Sequence, residues 1–298
     1  MGGVAFVFSG QGDQFPGMGQ ELFERYPEAR QVFEQCDALR PGTSRQCFSG
    51  TAEELKETVN TQPCLFAMEL AAYQVLLRKG IRPDAVAGFS LGEVAAATAA
   101  GCFDLTTGFR LVCKRGALMQ AEAEKFDTAM AAVVKLSAGE TARLCEHYDG
   151  LYPVNFNCPG QTTVSGLASQ MAAFSAEVKV AGGRAIPLKV KGAFHSPFMA
   201  EAARAFALEL EQTDRKPGEI PLYSNVTAAP YDGDPASLLA KQIESPVRWE
   251  TLIRNMIASG IDTFVEMGPG RTLTNLIHKI DAGVQAYTVT DYLEEHPC

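Results

Sequence analysis

The chain has 298 residues, 46% of them hydrophobic and 20% charged, and a formal net charge of −9. That length suits one large α/β unit carrying a smaller one, and no apolar run reaches the ~18 residues of a membrane span. An acidic balance without any basic cluster excludes nucleic acid as the main partner, because phosphate neutralisation needs grouped Lys and Arg.

The first apolar stretch, Val4-Ala5-Phe6-Val7-Phe8, predicts a strand followed by a glycine-rich loop. It lacks the basic start and cleavage pattern of a secretory signal, so a cytoplasmic protein is expected. The loop, "FSGQGDQFPGMG", contains Gly10, Gly12, Gly17 and Gly19 but neither G-x-G-x-x-G nor G-K-[ST], and does not read as a nucleotide cradle. Its glycines allow backbone N–H groups to turn inward, the arrangement an oxyanion hole uses. Periodicity then predicts helices near 18–35, 53–59 and 64–79 and a strand over 85–89.

Gly88-Phe89-Ser90-Leu91-Gly92 fits G-x-S-x-G, in which small flanking residues let a sharp turn expose a serine hydroxyl. Ser90 reads either as a nucleophile on a strand-to-helix elbow or as a helix N-cap. From there "SLGEVAAATAAG" predicts a helix ended by Gly101, and Asp104 opens a longer one. Strands alternating with helices predict a parallel, doubly wound sheet. Inside the longer helix Arg115 stands beside Gly116 among apolar neighbours. There a guanidinium can act as a fork for a carboxylate or can snorkel to the surface.

Between 127 and 191 the elements shorten: strands around 128–136, 152–157, 162–166 and 183–191, with helices near 138–147 and 168–181. The order βαββαβ is the ferredoxin-like pattern, with two helices on one sheet face. Helices near 197–212, 235–244 and 248–259 and strands at 221–225, 263–267 and 285–289 follow. The expected division is a large α/β subdomain of residues 1–126 and 192–298 with a small ferredoxin-like one, 127–191, inserted into it.

A nucleophilic serine needs a base, and histidine suits neutral pH. Of the four histidines, His147 near a helix end, His278 beside Lys279 and His296 in the acidic tail read as structural or solvated. His195, in "KGAFHSPFM", lies between a predicted strand and a helix, where ligand sites of α/β sheets collect. A conventional α/β-hydrolase, with serine, acid and histidine in that chain order, would nominate His278 instead. The eight cysteines (36, 47, 64, 102, 113, 145, 158 and 298) form no C-x-x-C pair and read as small reduced hydrophobes.

Eight stretches in order carry a family likeness: "FSGQGDQFPGMG", "TQPCLF", "GFSLGE", "KRGALMQ", "NFNCPGQTTVSG", "GAFHSPFM", "QIESPVRW" and "EMGPGRTLTNL". Over roughly residues 4 to 290 the chain resembles the malonyl-CoA:acyl carrier protein transacylases of fatty acid and polyketide synthesis. The resemblance implies an α/β-hydrolase-like large subdomain, a ferredoxin-like small one, and an active site in the cleft between them. It makes Ser90 the acylated nucleophile and His195 its base, with the main-chain carbonyl of Gln242 in place of the usual aspartate. The backbone N–H groups of Gln11 and Leu91 would form the oxyanion hole, and Arg115 would pair with the malonyl carboxylate. Gln62, Asn157 and Gln242 would line the same cleft. Phe89 stands where most relatives carry histidine, which implies a changed pocket polarity. Phe194 stands where malonyl-selective relatives have phenylalanine.

Malonyl-CoA is the implied substrate, with no bound cofactor and no metal, and acyl carrier protein is the implied partner of a monomeric enzyme. Lys114, Arg184, Lys189 and Lys191 are candidates for a basic rim facing an acidic carrier. The alternatives are an acyl-thioester hydrolase of the same fold and a silent subunit that only docks carrier protein.

Overall fold

The computed structural model describes residues 2–190 and 192–296, so Lys191 and Cys298 lie outside the described residues. Strand β1 (Gly3–Phe8) runs into the glycine-rich loop, and five helices follow: α1 (Gln20–Arg25), α2 (Pro27–Leu39), α3 (Thr43–Ser49), α4 (Ala52–Lys56) and α5 (Thr58–Arg78). The single helix expected over 18–35 is two. Tyr26 is extended at φ −123° because the following Pro27 disfavours helical backbone before it. Helix α3 escaped sequence reading because it buries only Thr43 and Cys47, which leaves no apolar period to detect. Helix α5 begins six residues before the expected 64 and carries Pro63 inside it. Every residue from Thr61 to Tyr73 is buried, so packing overrides the lost hydrogen bond.

Strand β2 (Ala85–Gly88) leads through the Ser90 turn into α6 (Gly92–Ala99) and then α7 (Leu105–Ala123). Gly101 ends α6 at φ +84°, and Asp104 caps α7 by accepting from the Thr107 N–H at 2.7 Å. The next elements follow the βαββαβ order: β3 (Thr128–Val134), α8 (Ala138–Cys145), β4 (Leu151–Cys158), β5 (Gln161–Leu167), α9 (Ala168–Val180) and β6 (Arg184–Pro187). A 3₁₀ turn at Pro197–Met199 opens α10 (Ala200–Glu211). Then come β7 (Leu222–Tyr223), α11 (Ala236–Gln242), α12 (Trp249–Ala258), β8 (Ile261–Glu266), α13 (Thr272–Ile280), β9 (Gln285–Thr288) and α14 (Val289–Glu295).

The larger sheet has the order β7-β2-β1-β8-β9 with every pairing parallel. Both faces are covered, which is why β1 reads as an unbroken apolar run rather than an alternating one. Phe6 and Phe8 pack with Tyr73 of α5 on one side, while Ala5 and Val7 join Trp249 of α12 on the other.

The second sheet is antiparallel, ordered β4-β5-β3-β6. One face holds its own small core, in which Val133 and Val164 meet Phe174 and Val178 of α9. The opposite face turns Met130 and Val154 into the main core. Val247, just before α12, accepts from the Phe156 N–H at 2.9 Å and donates to the Val154 carbonyl at 2.8 Å, which ties β4 to the rest of the chain.

Candidate active site

Crowded backbone shapes the turn after β2. A Cβ on Gly88 would lie 1.9 Å from the carbonyl carbon of Gly92, and one on Gly92 would lie 2.3 Å from the Phe8 oxygen. Only glycine fits at either place, which explains the spacing around the serine. Ser90 between them is forced to φ +54°, a left-handed conformation costly for a non-glycine residue. The N-cap position of α6 belongs to Leu91, and no side chain caps that helix, so the helix-cap reading of Ser90 is set aside.

The Ser90 hydroxyl lies 2.7 Å from Nε2 of His195, which follows β6 in a loop and is itself at φ +62°. Nδ1 of the same ring lies 2.9 Å from the Gln242 carbonyl oxygen. A carbonyl can only accept, so Nδ1 carries the proton and Nε2 presents a lone pair to the serine. Burial, reinforced by the cation of Arg115, lowers the His195 pKa to about 4. The imidazole is therefore neutral at physiological pH and able to take a proton.

Arg115 projects from α7 and is wholly buried beside the serine. Its guanidinium donates to Gln62 Oε1 at 2.8 Å, to Gln242 Oε1 at 2.7 Å and to Ser90 Oγ at 3.3 Å, while Nε has no partner among the described residues. Burial lowers its pKa to about 10, partly offset by Glu93, and it remains a cation.

Gln11, Phe89, Ser90, Phe194 and His195 line one pocket of about 400 Å³, with Lys189 at its rim. The Gln11 side chain is held by a 3.2 Å bond to Thr58, and the Phe89 ring sits edge-on to Trp249 at 5.4 Å. Leu91 is buried at the start of α6, immediately after the serine. Gln62 and Gln242 lie behind the serine, against Arg115, rather than on the pocket wall. Asn157 donates to Thr163 at 3.3 Å and does not line the pocket; Asn155, two residues earlier on β4, does. His278 is exposed on α13, His147 is bonded to Glu177 at 3.0 Å, and His296 stacks on Tyr292 at 4.1 Å. None of the three approaches the serine.

Two polar residues at the site were not foreseen. Asn225, in the loop after β7, accepts from the Ser90 N–H at 2.8 Å and donates to the Gly88 carbonyl at 2.6 Å, so one amide clamps both sides of the turn. No periodic signal marks it. Glu93 had one: it is the lone acid in the alanine-rich α6, whose residues are all buried. Burial raises its pKa to about 7.

Residues 5–291 match the acyl transferase domain family. The chain is 38% identical over 299 aligned residues to a malonyl CoA-acyl carrier protein transacylase of Bacillus subtilis, covering 98% of this chain and 94% of that protein. An acyl carrier protein S-malonyltransferase structure from Vibrio cholerae superposes with TM-score 0.93 at 33% identity, covering 98% of this chain and 99% of that one. A malonyl-transacylase solved in complex with its type II PKS acyl-carrier protein superposes with TM-score 0.94 at 32% identity, covering 99% of this chain and all of that one.

Proposed function

We propose, from the premise that the chain belongs to the acyl transferase domain family, that it moves a malonyl group from malonyl-CoA to the phosphopantetheine thiol of acyl carrier protein. One observation carries the catalytic part of this reading: Ser90 Oγ sits 2.7 Å from a neutral imidazole and 3.3 Å from a buried guanidinium. The pair can make the hydroxyl nucleophilic, and the cation beside it selects an acyl group that bears a carboxylate.

His195 Nε2 takes the Ser90 proton as Oγ attacks the thioester carbonyl. The main-chain N–H groups of Gln11 and Leu91 receive the developing oxyanion. The tetrahedral intermediate collapses, the C–S bond breaks, and coenzyme A leaves with the proton held by His195. The Gln242 carbonyl keeps the ring in the required tautomer and orientation, the task an aspartate performs in other serine enzymes. The carrier thiol then gives its proton to His195 and attacks the malonyl-Ser90 ester, and the ester C–O bond breaks as Ser90 Oγ takes that proton back. Arg115, held by Gln242, turns the N–H now aimed at Ser90 Oγ toward the malonyl carboxylate, and Phe194 bounds the space beside the acyl chain. Every step is served by side chains and backbone alone.

We assign residues 127–191 to a small subdomain that forms the wall opposite Ser90, and we place the reaction in the cytoplasm, carried out by a monomer. All seven described cysteines are free thiols, six of them buried, which suits a reducing compartment.

Mass spectrometry of the intact protein after mixing with malonyl-CoA tests the reading. A malonyl adduct on Ser90 that persists in buffer and disappears on addition of carrier protein supports transfer. An adduct that decays equally fast without carrier means hydrolysis, and labelling that survives Ser90→Ala removes the serine from the mechanism.

A further inference from the structure

Three donors converge on the carboxylate of Glu93. Gln242 Nε2 donates to Oε2 at 2.7 Å, while the Asn225 N–H at 3.1 Å and the Tyr231 hydroxyl at 2.5 Å donate to Oε1. The side chain is wholly buried and accepts at both oxygens without donating, the pattern of an ionised carboxylate. The charged or titratable groups facing it are Arg115 from α7 and Tyr231 from the loop after β7.

Its contact with Gln242 has a geometric consequence. An amide turned end for end keeps almost the same shape, so only its partners decide which end faces where. Gln242 Nε2 also donates to the Ser90 carbonyl at 2.6 Å. Reversal would therefore set the amide oxygen against two acceptors, Glu93 and that carbonyl. The orientation that survives presents Oε1 to Arg115 at 2.7 Å.

We propose that Glu93 is a positioning residue for acyl-group selection: it fixes the Gln242 amide, which orients the Arg115 guanidinium beside Ser90, and it supplies the negative charge that balances this cation. The proposal rests on the reading of Arg115 as partner of the malonyl carboxylate. Glu93 touches neither the Ser90 hydroxyl nor the pocket and acts through Gln242. An uncompensated cation at this depth would be unfavourable, and an amide at position 93 cannot replace the carboxylate. Its NH₂ would meet the Gln242 NH₂ at one end or the Asn225 N–H at the other, whereas aspartate keeps both acceptors and the charge on a shorter stem.

The test is single-turnover loading of Ser90 from malonyl-CoA and from acetyl-CoA at pH 8, where Glu93 is ionised, for wild type, E93Q, E93D, R115A and the E93Q/R115A pair. Malonyl loading by E93Q should fall about tenfold to a hundredfold, the effect of one mispaired buried donor, with acetyl loading far less changed. E93D should load malonyl better than E93Q although glutamine is the closer shape, and E93Q should add little to R115A. Equal loss of both acyl groups, E93Q ahead of E93D, or additive losses would overturn the proposal. Should E93Q fail to fold, E93D decides alone: a malonyl-selective loss supports the proposal and an equal loss overturns it. An R115A protein that loses both acyl groups alike refutes the reading of Arg115 and this one with it. An R115A protein that discriminates beside E93 variants that do not refutes the role of Glu93 only.

Discussion

Beneath Ser90, β1, β2 and α6 approach so closely that a methyl group on Gly88 or Gly92 would overlap main-chain atoms. Across the pocket, Met130, Leu188 and Val190 offer side chains from and beside a sheet whose other face has a separate core. The first wall fixes the position of one oxygen atom by backbone geometry; the second encloses volume with side chains that can repack. Substitutions should therefore be intolerable on the serine side and graded on the other.

The sharpest way to break that contrast is a pair of stability measurements. Gly88→Ala should destabilise by on the order of 4 kcal/mol or more, because the clash is with backbone and cannot be relieved by a rotamer change. Met130→Ala should cost ~2–4 kcal/mol, the range for truncating a buried methionine, and should leave a folded enzyme that still loads malonyl. Denaturant midpoints for the two proteins, read beside loading rates, check this. Similar losses for both would show that the two walls are equally rigid.

Arg115 lies on the serine side, yet in the proposed mechanism its charge concerns the acyl group rather than the turn. Arg115→Ala should lower malonyl loading by roughly tenfold to 150-fold, equivalent to a charge-assisted hydrogen bond, and should spare or improve acetyl loading. Competition between the two thioesters, scored by adduct mass, gives the ratio directly.

The pH profile is a smaller effect that separates His195 from an ordinary imidazole. In the proposed mechanism its neutral form is the base, and its pKa is lowered from 6.5 to about 4. Acetyl loading, which makes no use of Arg115 as an anion partner, should stay level as pH falls through 6.5 and drop only toward 4. Because the Arg115 cation contributes to this lowering, Arg115→Ala should move the acid limb upward. An acid limb near 6.5 in the wild type would mean that the imidazole is solvated when it works.

What could be read without coordinates follows the same division. The strand-turn-helix around Ser90 was legible because glycine spacing, an apolar strand and a small-residue helix all report one local geometry. The antiparallel sheet was legible from its order of short elements. His195 could be singled out by its position after a strand, but its partner carbonyl could not, since a main-chain oxygen leaves no mark on residue identity. Asn225 and Gln242 were beyond periodicity for a related reason: their roles arise from a loop and a helix end that meet the serine in space, 135 and 152 residues away from it. Asn157 was expected in the cleft from family likeness; strict alternation would put Asn155 and Asn157 on one face, and the register shift between Phe156 and Cys158 falls on the second of them.

The proposed carrier-facing rim carries the smallest expected effect, and its Lys189, at the pocket mouth, belongs to the tolerant wall. Of the four cations considered for it, Lys189 is exposed at the pocket mouth, Arg184 is exposed on the edge strand β6, and Lys114 is 3.7 Å from Glu209, which partly cancels its charge. With the chain at −9 overall, an acidic carrier is repelled at long range, so attraction must come from the few cations within a Debye length of the mouth, ~8–10 Å at ordinary ionic strength. Lys189→Ala should therefore raise the KM for carrier protein a few-fold, leave loading from malonyl-CoA nearly unchanged, and flatten the dependence of that KM on salt. A wild-type KM that does not change with ionic strength would place carrier recognition in apolar contacts such as exposed Phe126 and Leu188, and Lys189→Ala would then have no effect.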